Sequence, residues 1–252
     1  MSEATGAVEF RVDDAIGLLT LNRPDKLNAL TVAMFGELRA HVEAIGRQTQ
    51  TIGVVVLRGA GKCFSAGNDL NDIASGQKPP KPWYQGETIE MLANLPQPVI
   101  AAVHGHCYTG ALELALAGDL IVASANARFG DTHARWSLTP VWGMSQRLPR
   151  RVGAAKAKEM MLTCRTYSGA QALDMGLANF CFPDESFEAE LEKLTAEILA
   201  NSWFSHRANK KLIVDTESLP LAAGLAHEIY KGEGRGPDAP ERIAAFMNKS
   251  KG

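Results

Sequence analysis

Three apolar runs constrain the fold more than any other feature of the chain. IGVVVLRG (52–59), VIAAVHG (99–105) and DLIVAS (119–124) each carry at least four consecutive apolar residues, then stop at a glycine or a small polar residue. A strand with one face in water alternates apolar and polar positions. A strand without that alternation is covered on both faces, as in a parallel sheet flanked by helices. Between the runs the spacing turns helical. TVAMFGELRAHVEAI (31–45) places Val32, Phe35, Leu38, Val42 and Ile45 three or four residues apart, with Thr31 as N-cap. ALELALAG (111–118) follows a glycine-bounded turn. Strand, helix, strand in this rhythm predicts an α/β fold with parallel pairing.

Ahead of these elements, Ala7–Val12 and Ile16–Leu21 read as two strands turning at Asp13-Asp14. Residues 76–85, GQKPPKPWYQ, read as a mobile proline-rich loop, and Leu95-Pro96-Gln97-Pro98 marks a second turn. From about residue 184 the pattern is helical throughout, in SFEAELEKLTAEILAN, SHRANKKLIVD and the 218–231 and 238–249 stretches. This predicts a helical C-terminal appendage of the kind that packs against a neighbouring subunit.

Composition narrows the function. With 26 Lys+Arg against 28 Asp+Glu, the net charge of −2 supplies no basic stripe for nucleic acid. No apolar run approaches the roughly 20 residues that span a bilayer. MSEATGAVEF lacks the charged start and apolar stretch of a signal peptide, so a cytoplasmic location is expected. Cys63, Cys107, Cys164 and Cys181 are widely spaced and are expected as plain buried thiols.

Motif matches in GAGKCFSAG (59–67) fail one after another. A dinucleotide fingerprint would need glycine where Phe64 stands, a phosphate loop would need it at Val56, and a hydrolase elbow would need it at Cys63. His104 and His106 with Cys107 suggest a metal, but alternation along a strand turns the cysteine away from the histidines. No metal is expected.

Three segments remain, each following an expected parallel strand: FSAGNDL (64–70), GHCYTGALELA (105–115) and FGDTHARWSLTPVWG (129–143). Ligands of open α/β sheets gather outside the carboxyl ends of the strands. The Gly67-Asn68 turn can present a main-chain N–H, and Gly110 opens a helix, where N–H groups lack intrahelical partners. Two such amides aimed at one point form an oxyanion hole. Glu113 lies three residues, about one turn, beyond Gly110, within reach of a substrate held there; it is equally suited to a plain first-turn acidic residue.

LNRPDKLNAL (21–30), GKCFSAGNDL (61–70), AVHGHCYTGALELALAGDL (102–120) and SQRLPRRVG (145–153), with AQALDMGL (170–177) and the helical tail, resemble the enoyl-CoA hydratase/isomerase, or crotonase, superfamily. The resemblance implies a spiral of repeated ββα units over residues 1–190, carrying an acyl-CoA site. It also implies a C-terminal helical region, 191–252, supporting homo-trimers or dimers of trimers. The oxyanion amides then map onto Asn68 and Gly110, and Glu113 onto one of two hydratase carboxylates. Lys26, Ala29, Ala66 and Asn71 fall in segments that line coenzyme A in relatives. Tyr230 and Lys249 align with tail residues that reach a neighbouring subunit's coenzyme A. No further cofactor is implied, since coenzyme A arrives as part of the substrate.

The departures from the family pattern carry information. His133 stands where hydratases place their second glutamate, Thr109 and Ala111 replace glycines around Gly110, and Asn71 stands where many relatives have a lysine. His133 can transfer protons, recognise a polar acyl end together with Thr132 and Arg135, or serve structure alone. Asp131 is a substitute acid, on the same side as His133 if the segment is extended and turned from it if helical. Trp136 and Trp142 are candidate walls of an acyl pocket. The expected function is hydration of a 2-enoyl-CoA, or the reverse dehydration. The alternatives are a double-bond isomerase or other enolate chemistry, and a noncatalytic acyl-CoA binding protein.

Overall fold

Asp14 and Ala15 both adopt positive φ, 42° and 67°. That is the backbone twist a two-residue hairpin turn requires, and it closes strand β1 (Val8–Asp13) antiparallel on β2 (Ile16–Leu21). The computed structural model describes residues 6–249, without the side chain of Lys249. From β2 onward the main sheet is parallel. β2 pairs with β3 (Val54–Gly59), and β3 with β4 (Val99–Val103). A second, smaller sheet holds β5 (His106–Tyr108). The main sheet continues through β6 (Leu120–Ser124), while β7 (Arg128–Gly130) and β8 (Tyr167–Ser168) join β5, and β9 (Phe180–Phe182) ends the main sheet beside β6.

The spiral is visible in the pairings. After β4 the chain steps to β5, and after β6 it steps to β7, so β4·β6 and β5·β7 are parallel neighbours in separate sheets. After β3 it makes a parallel bridge from Ser65 to Cys107, a one-residue version of the same step. Each step brings a different segment to the same end of the sheet.

Helices fill the remaining length. They are α1 (Val32–Gly46), α2 (Leu70–Ser75), α3 (Tyr84–Ala93), α4 (Gly110–Ala115) and α5 (Met144–Thr163), then α6 (Gly169–Asp174), α7 (Phe187–Ala200), α8 (Trp203–Thr216), α9 (Leu221–Lys231) and α10 (Ala239–Lys249). Thr31 caps α1 by accepting the Met34 N–H, as its spacing predicted. The loop before α3 is irregular, but the helix already begins at Tyr84, inside the stretch expected as loop.

Alternation inside the apolar runs explains why they are continuous. Val55, Leu57, Ala101, Val103 and Ile121 face the core under α1, against Phe35, Leu38 and Val42. Val54, Val56, Ile100, Ala102 and Val122 face the other way, against Phe187 and Leu191 of α7. Each buried aliphatic side chain contributes about 1.5–3 kcal/mol. The division expected at 190/191 falls inside α7. Beyond it, Leu221, Leu225, Ile229, Ile243 and Phe246 are 49–79% exposed on α9 and α10.

Cys63, Cys107 and Cys164 are buried free thiols, and Cys181 is only half-buried. His104 binds the Gly61 carbonyl through Nε2 at 3.0 Å, while His106 stacks on Tyr108. Among the described residues no helix is long and apolar enough to cross a membrane, and no group of three His, Cys, Asp or Glu side chains could hold a metal ion.

Candidate active site

The first wall is built from main chain. Leu27 and Asn28 take left-handed backbone, φ 51° and 54°, which turns the Asn28 side chain inward. Its amide nitrogen donates to the carbonyls of Ala60 and Cys63, both at 2.8 Å, and its oxygen accepts the Arg23 N–H. Ser65 Oγ donates to the Asn28 carbonyl at 2.8 Å and accepts the Gly67 N–H at 3.1 Å. Gly67 sits at φ 101°, where a Cβ would lie 2.7 Å from the Tyr108 carbonyl oxygen. Only glycine fits there. Leu30 donates to the Gly67 carbonyl and accepts the Asp69 N–H, which clamps the turn from both sides. The Asn68 N–H, between them, has no partner among the described residues.

Asp69 steadies the far side of that turn. It accepts the Asn71 N–H at 3.0 Å, capping α2, and pairs with Arg23 at 3.0 Å. Burial pushes its carboxyl up, but Arg23 and the Asn71 N–H outweigh this and hold it below the ordinary value.

The second amide comes from α4. Thr109 precedes it at φ 53°, ψ −112°, a backbone region hostile to a β-branched residue. Three bonds hold it there. Its N–H donates to the Gly130 carbonyl at 2.9 Å, its Oγ1 meets Thr132 Oγ1 at 2.6 Å, and the same oxygen accepts the Thr132 N–H at 3.2 Å. Thr109 is thus tied to the segment carrying His133. Gly110 follows, its N–H unpartnered among the described residues. A Cβ on it would come 2.5 Å from Cζ3 of Trp142.

The facing wall is made of titratable side chains. Glu113, 1% exposed, accepts the N–H groups of Trp142 (2.9 Å) and Met144 (3.1 Å) on Oε1. Its Oε2 lies 3.7 Å from His133 Nε2. Burial raises the Glu113 carboxyl above its ordinary value, and the two amides and His133 only partly offset this. On its other side His133 meets Asp131, with Nδ1 at 2.6 Å from Oδ1. The segment is neither a continuing strand nor a regular helix at that point. β7 ends at Gly130, a 3-10 turn spans His133–Trp136, and Asp131 folds back to its neighbour but one.

These walls enclose a cavity of about 680 Å³. Lys26, Ala29, Ala66, Asn68 and Asn71 line one side, and Glu113, Thr132, His133, Arg135, Trp136 and Trp142 line another. Gly110 is buried and is not among the residues that line the cavity. Tyr230 does not reach its own chain's cavity; it is 80% exposed on α9. The Lys249 side chain lies outside the described residues. Sequence reasoning missed the roles of Asn28 and Ser65, which hold the first amide, and of Tyr108 and Thr166, which also line the cavity. Arg23 and Asn28 lie in the LNRPDKLNAL segment, but the partners that tie them to the cradle, Asp69, Ala60, Cys63 and Ser65, are remote in sequence.

The chain matches the family model described as enoyl-CoA hydratase/isomerase over residues 11–247. A "Probable enoyl-CoA hydratase" of Rhizobium meliloti is 35% identical over 94% of this chain and 93% of its own length. A 2,3-dehydroadipyl-CoA hydratase of Escherichia coli is 33% identical over 92% of each chain. The crystal structure of an enoyl-CoA hydratase from Bacillus anthracis superposes with a TM-score of 0.90 at 32% identity, covering 97% of each chain. The match runs through every segment that builds the cavity, and the chain belongs to the enoyl-CoA hydratase/isomerase family of enzymes.

Proposed function

We propose that the protein hydrates the double bond of a 2-enoyl-CoA thioester or runs the reverse dehydration. One observation carries this reading: Glu113 and His133, 3.7 Å apart, line one cavity with Asn68, whose N–H is unpartnered, and the unpartnered N–H of Gly110 opens the helix that carries Glu113. The thioester oxygen accepts the N–H groups of Asn68 and Gly110. As water adds to Cβ, negative charge collects on that oxygen, and each donor stabilises it by about 3–4 kcal/mol. One of Glu113 and His133 takes a proton from water, and the other delivers one to Cα. Coenzyme A enters as part of the substrate, along Lys26, Ala29, Ala66 and Asn71.

The test is loss of enoyl-thioester absorbance across a panel of acyl chains, with Glu113→Gln as control. Turnover should fall about 10²–10⁴-fold in the variant. Coenzyme A affinity should hold, since the cradle is main chain. Binding without turnover in the unaltered protein would favour the noncatalytic acyl-CoA binding reading. Unchanged turnover in Glu113→Gln would remove Glu113 from the chemistry.

Arg135 favours a polar acyl end. Arg135 lines the cavity, and its guanidinium donates to the Cys164 carbonyl at 2.7 Å and forms no ion pair among the described residues. A planar fork with free donors suits a carboxylate. Arg135→Leu should lower kcat/KM for acyl groups ending in a carboxylate more than for plain ones, about tenfold. The exposed apolar faces of α9 and α10 fit assembly as trimers or dimers of trimers, bringing Tyr230 and Lys249 toward a neighbour's coenzyme A.

A further inference from the structure

We propose that Asp131 is a positioning residue that keeps a proton on Nδ1 of His133, so that Nε2 faces the cavity as the proton acceptor and Glu113 as the donor. This deepens the hydratase reading, and its kinetic arm rests on that reading.

The geometry starts at one atom. Asp131 is 1% exposed and does not line the cavity, so it cannot touch substrate. Its Oδ1 accepts the His133 main-chain N–H at 3.1 Å and lies 2.6 Å from Nδ1 of the same residue. An oxygen that already faces an amide hydrogen acts as acceptor, so the proton in the 2.6 Å contact belongs to Nδ1. A neutral imidazole protonated at Nδ1 carries a lone pair at Nε2. That lone pair faces Glu113 Oε2 at 3.7 Å, longer than a hydrogen bond and suited to a group lodged between them.

A lone pair and an ionised carboxylate facing each other in a buried site repel, so one proton is shared between them. With that proton on Glu113, the direction in which burial of the carboxyl works, His133 is free to act as the base. The addition then balances. Water oxygen bonds to Cβ while its proton passes to His133 Nε2. The π electron pair moves through the enolate to Cα, which takes the proton from Glu113. Proton transfer from Nε2 back to Oε2 restores the resting state.

The experiment uses the full chain with Asp131→Ala and Asp131→Asn, each alone and combined with His133→Gln. Asp131→Ala should lower kcat about 10²-fold, the low end for a positioned proton transfer, with KM within about threefold because the cavity wall is untouched. Asp131→Asn retains an oxygen for both donors and should lose about tenfold. Neither substitution should lower kcat further once His133 is gone, because a residue acting only through His133 has nothing left to position. Equal losses in both backgrounds, or a rise in KM at constant kcat, would overturn the proposal. If Asp131→Ala does not fold, Asp131→Asn carries the same comparison. Nitrogen-15 spectra of histidine-labelled protein decide independently of turnover. The resonances absent from His133→Gln should report Nδ1–H in the unaltered protein and lose it in Asp131→Ala, and a proton found on Nε2 instead would overturn the assignment. A protein inert toward every enoyl-CoA would defeat the hydratase reading while leaving this spectroscopic test intact.

Discussion

The two walls of the cavity are held by opposite kinds of chemistry. The cradle around Asn68 is neutral at its centre, where Asn28, Ser65, Gly67 and Leu30 satisfy one another, leaving one N–H for a ligand. The facing wall packs Glu113, Asp131 and His133 together at 1%, 1% and 7% exposure. A satisfied neutral network stabilises the fold and fixes the donor with the same bonds. A buried carboxyl whose desolvation exceeds its hydrogen bonds weakens the fold in order to be reactive. Damage to the cradle should therefore lower stability and turnover together. Neutralising Glu113 in the facing wall should lower turnover and raise stability.

The largest joint loss is expected where the walls touch. In Gly110→Ala the new Cβ would lie 2.5 Å from one Trp142 ring carbon and 3.1 Å from another. That ring is buried and packs edge-on against Phe35 with centroids 4.8 Å apart, so it must shift to admit the methyl. Overpacking of this kind costs about 1–3 kcal/mol, and turnover should drop at least about 10²-fold with the displaced amide. Urea midpoints and kcat measured on one preparation check both. A variant of unchanged midpoint but lost turnover would show that the amide can be damaged without the fold, and the proposed coupling would fail.

A smaller version tests the cradle alone. Ser65→Ala strands the buried Gly67 N–H and removes a donor from the Asn28 carbonyl, with no new bulk. The expected cost is about 1–3 kcal/mol. Misplacing a positioned donor by a fraction of an ångström should lower turnover by roughly tenfold. Turnover falling without any change in thermal unfolding would again separate what the comparison joins.

The cradle was more legible in the sequence than the facing wall, for a physical reason. A main-chain donor depends on local backbone, so a glycine before Asn68 and a glycine opening α4 were enough to suggest it. The apolar runs were legible because both faces of the parallel sheet are covered. Spacing placed Glu113 one turn beyond Gly110 but left it equally suited to a plain first-turn acidic residue, and the family resemblance singled it out. The Asp131–His133 contact did not follow, because it turns on whether the chain after Gly130 extends or coils, and it does neither for more than a few residues. The supports of the cradle were equally hidden. Asn28 finds Ala60, Cys63 and Ser65 at separations of 32 to 37 residues, beyond any local pattern. Strands β5, β7 and β8 are two or three residues long, too short to show a period.

The smallest effect is the most diagnostic, since its sign is opposite. Burial raises the Glu113 carboxyl above its ordinary value, so the folded protein binds that proton more tightly than the unfolded chain does. Stability therefore declines as pH rises from the ordinary carboxylate range, about 4.3, to the raised value in the fold, and beyond that the full penalty remains. Glutamine carries no charge at any pH and keeps an oxygen for the Trp142 and Met144 amides. Glu113→Gln should match the unaltered protein in stability below the carboxylate range and exceed it at neutral pH. The gain should be on the order of 1 kcal/mol, or about 2–4 °C in Tm. Paired melting curves at several pH values isolate the effect, because every other titrating group is common to both proteins. A neutral-pH Tm lower in Glu113→Gln would mean that the two amides outweigh desolvation, and the facing wall would then be held as the cradle is.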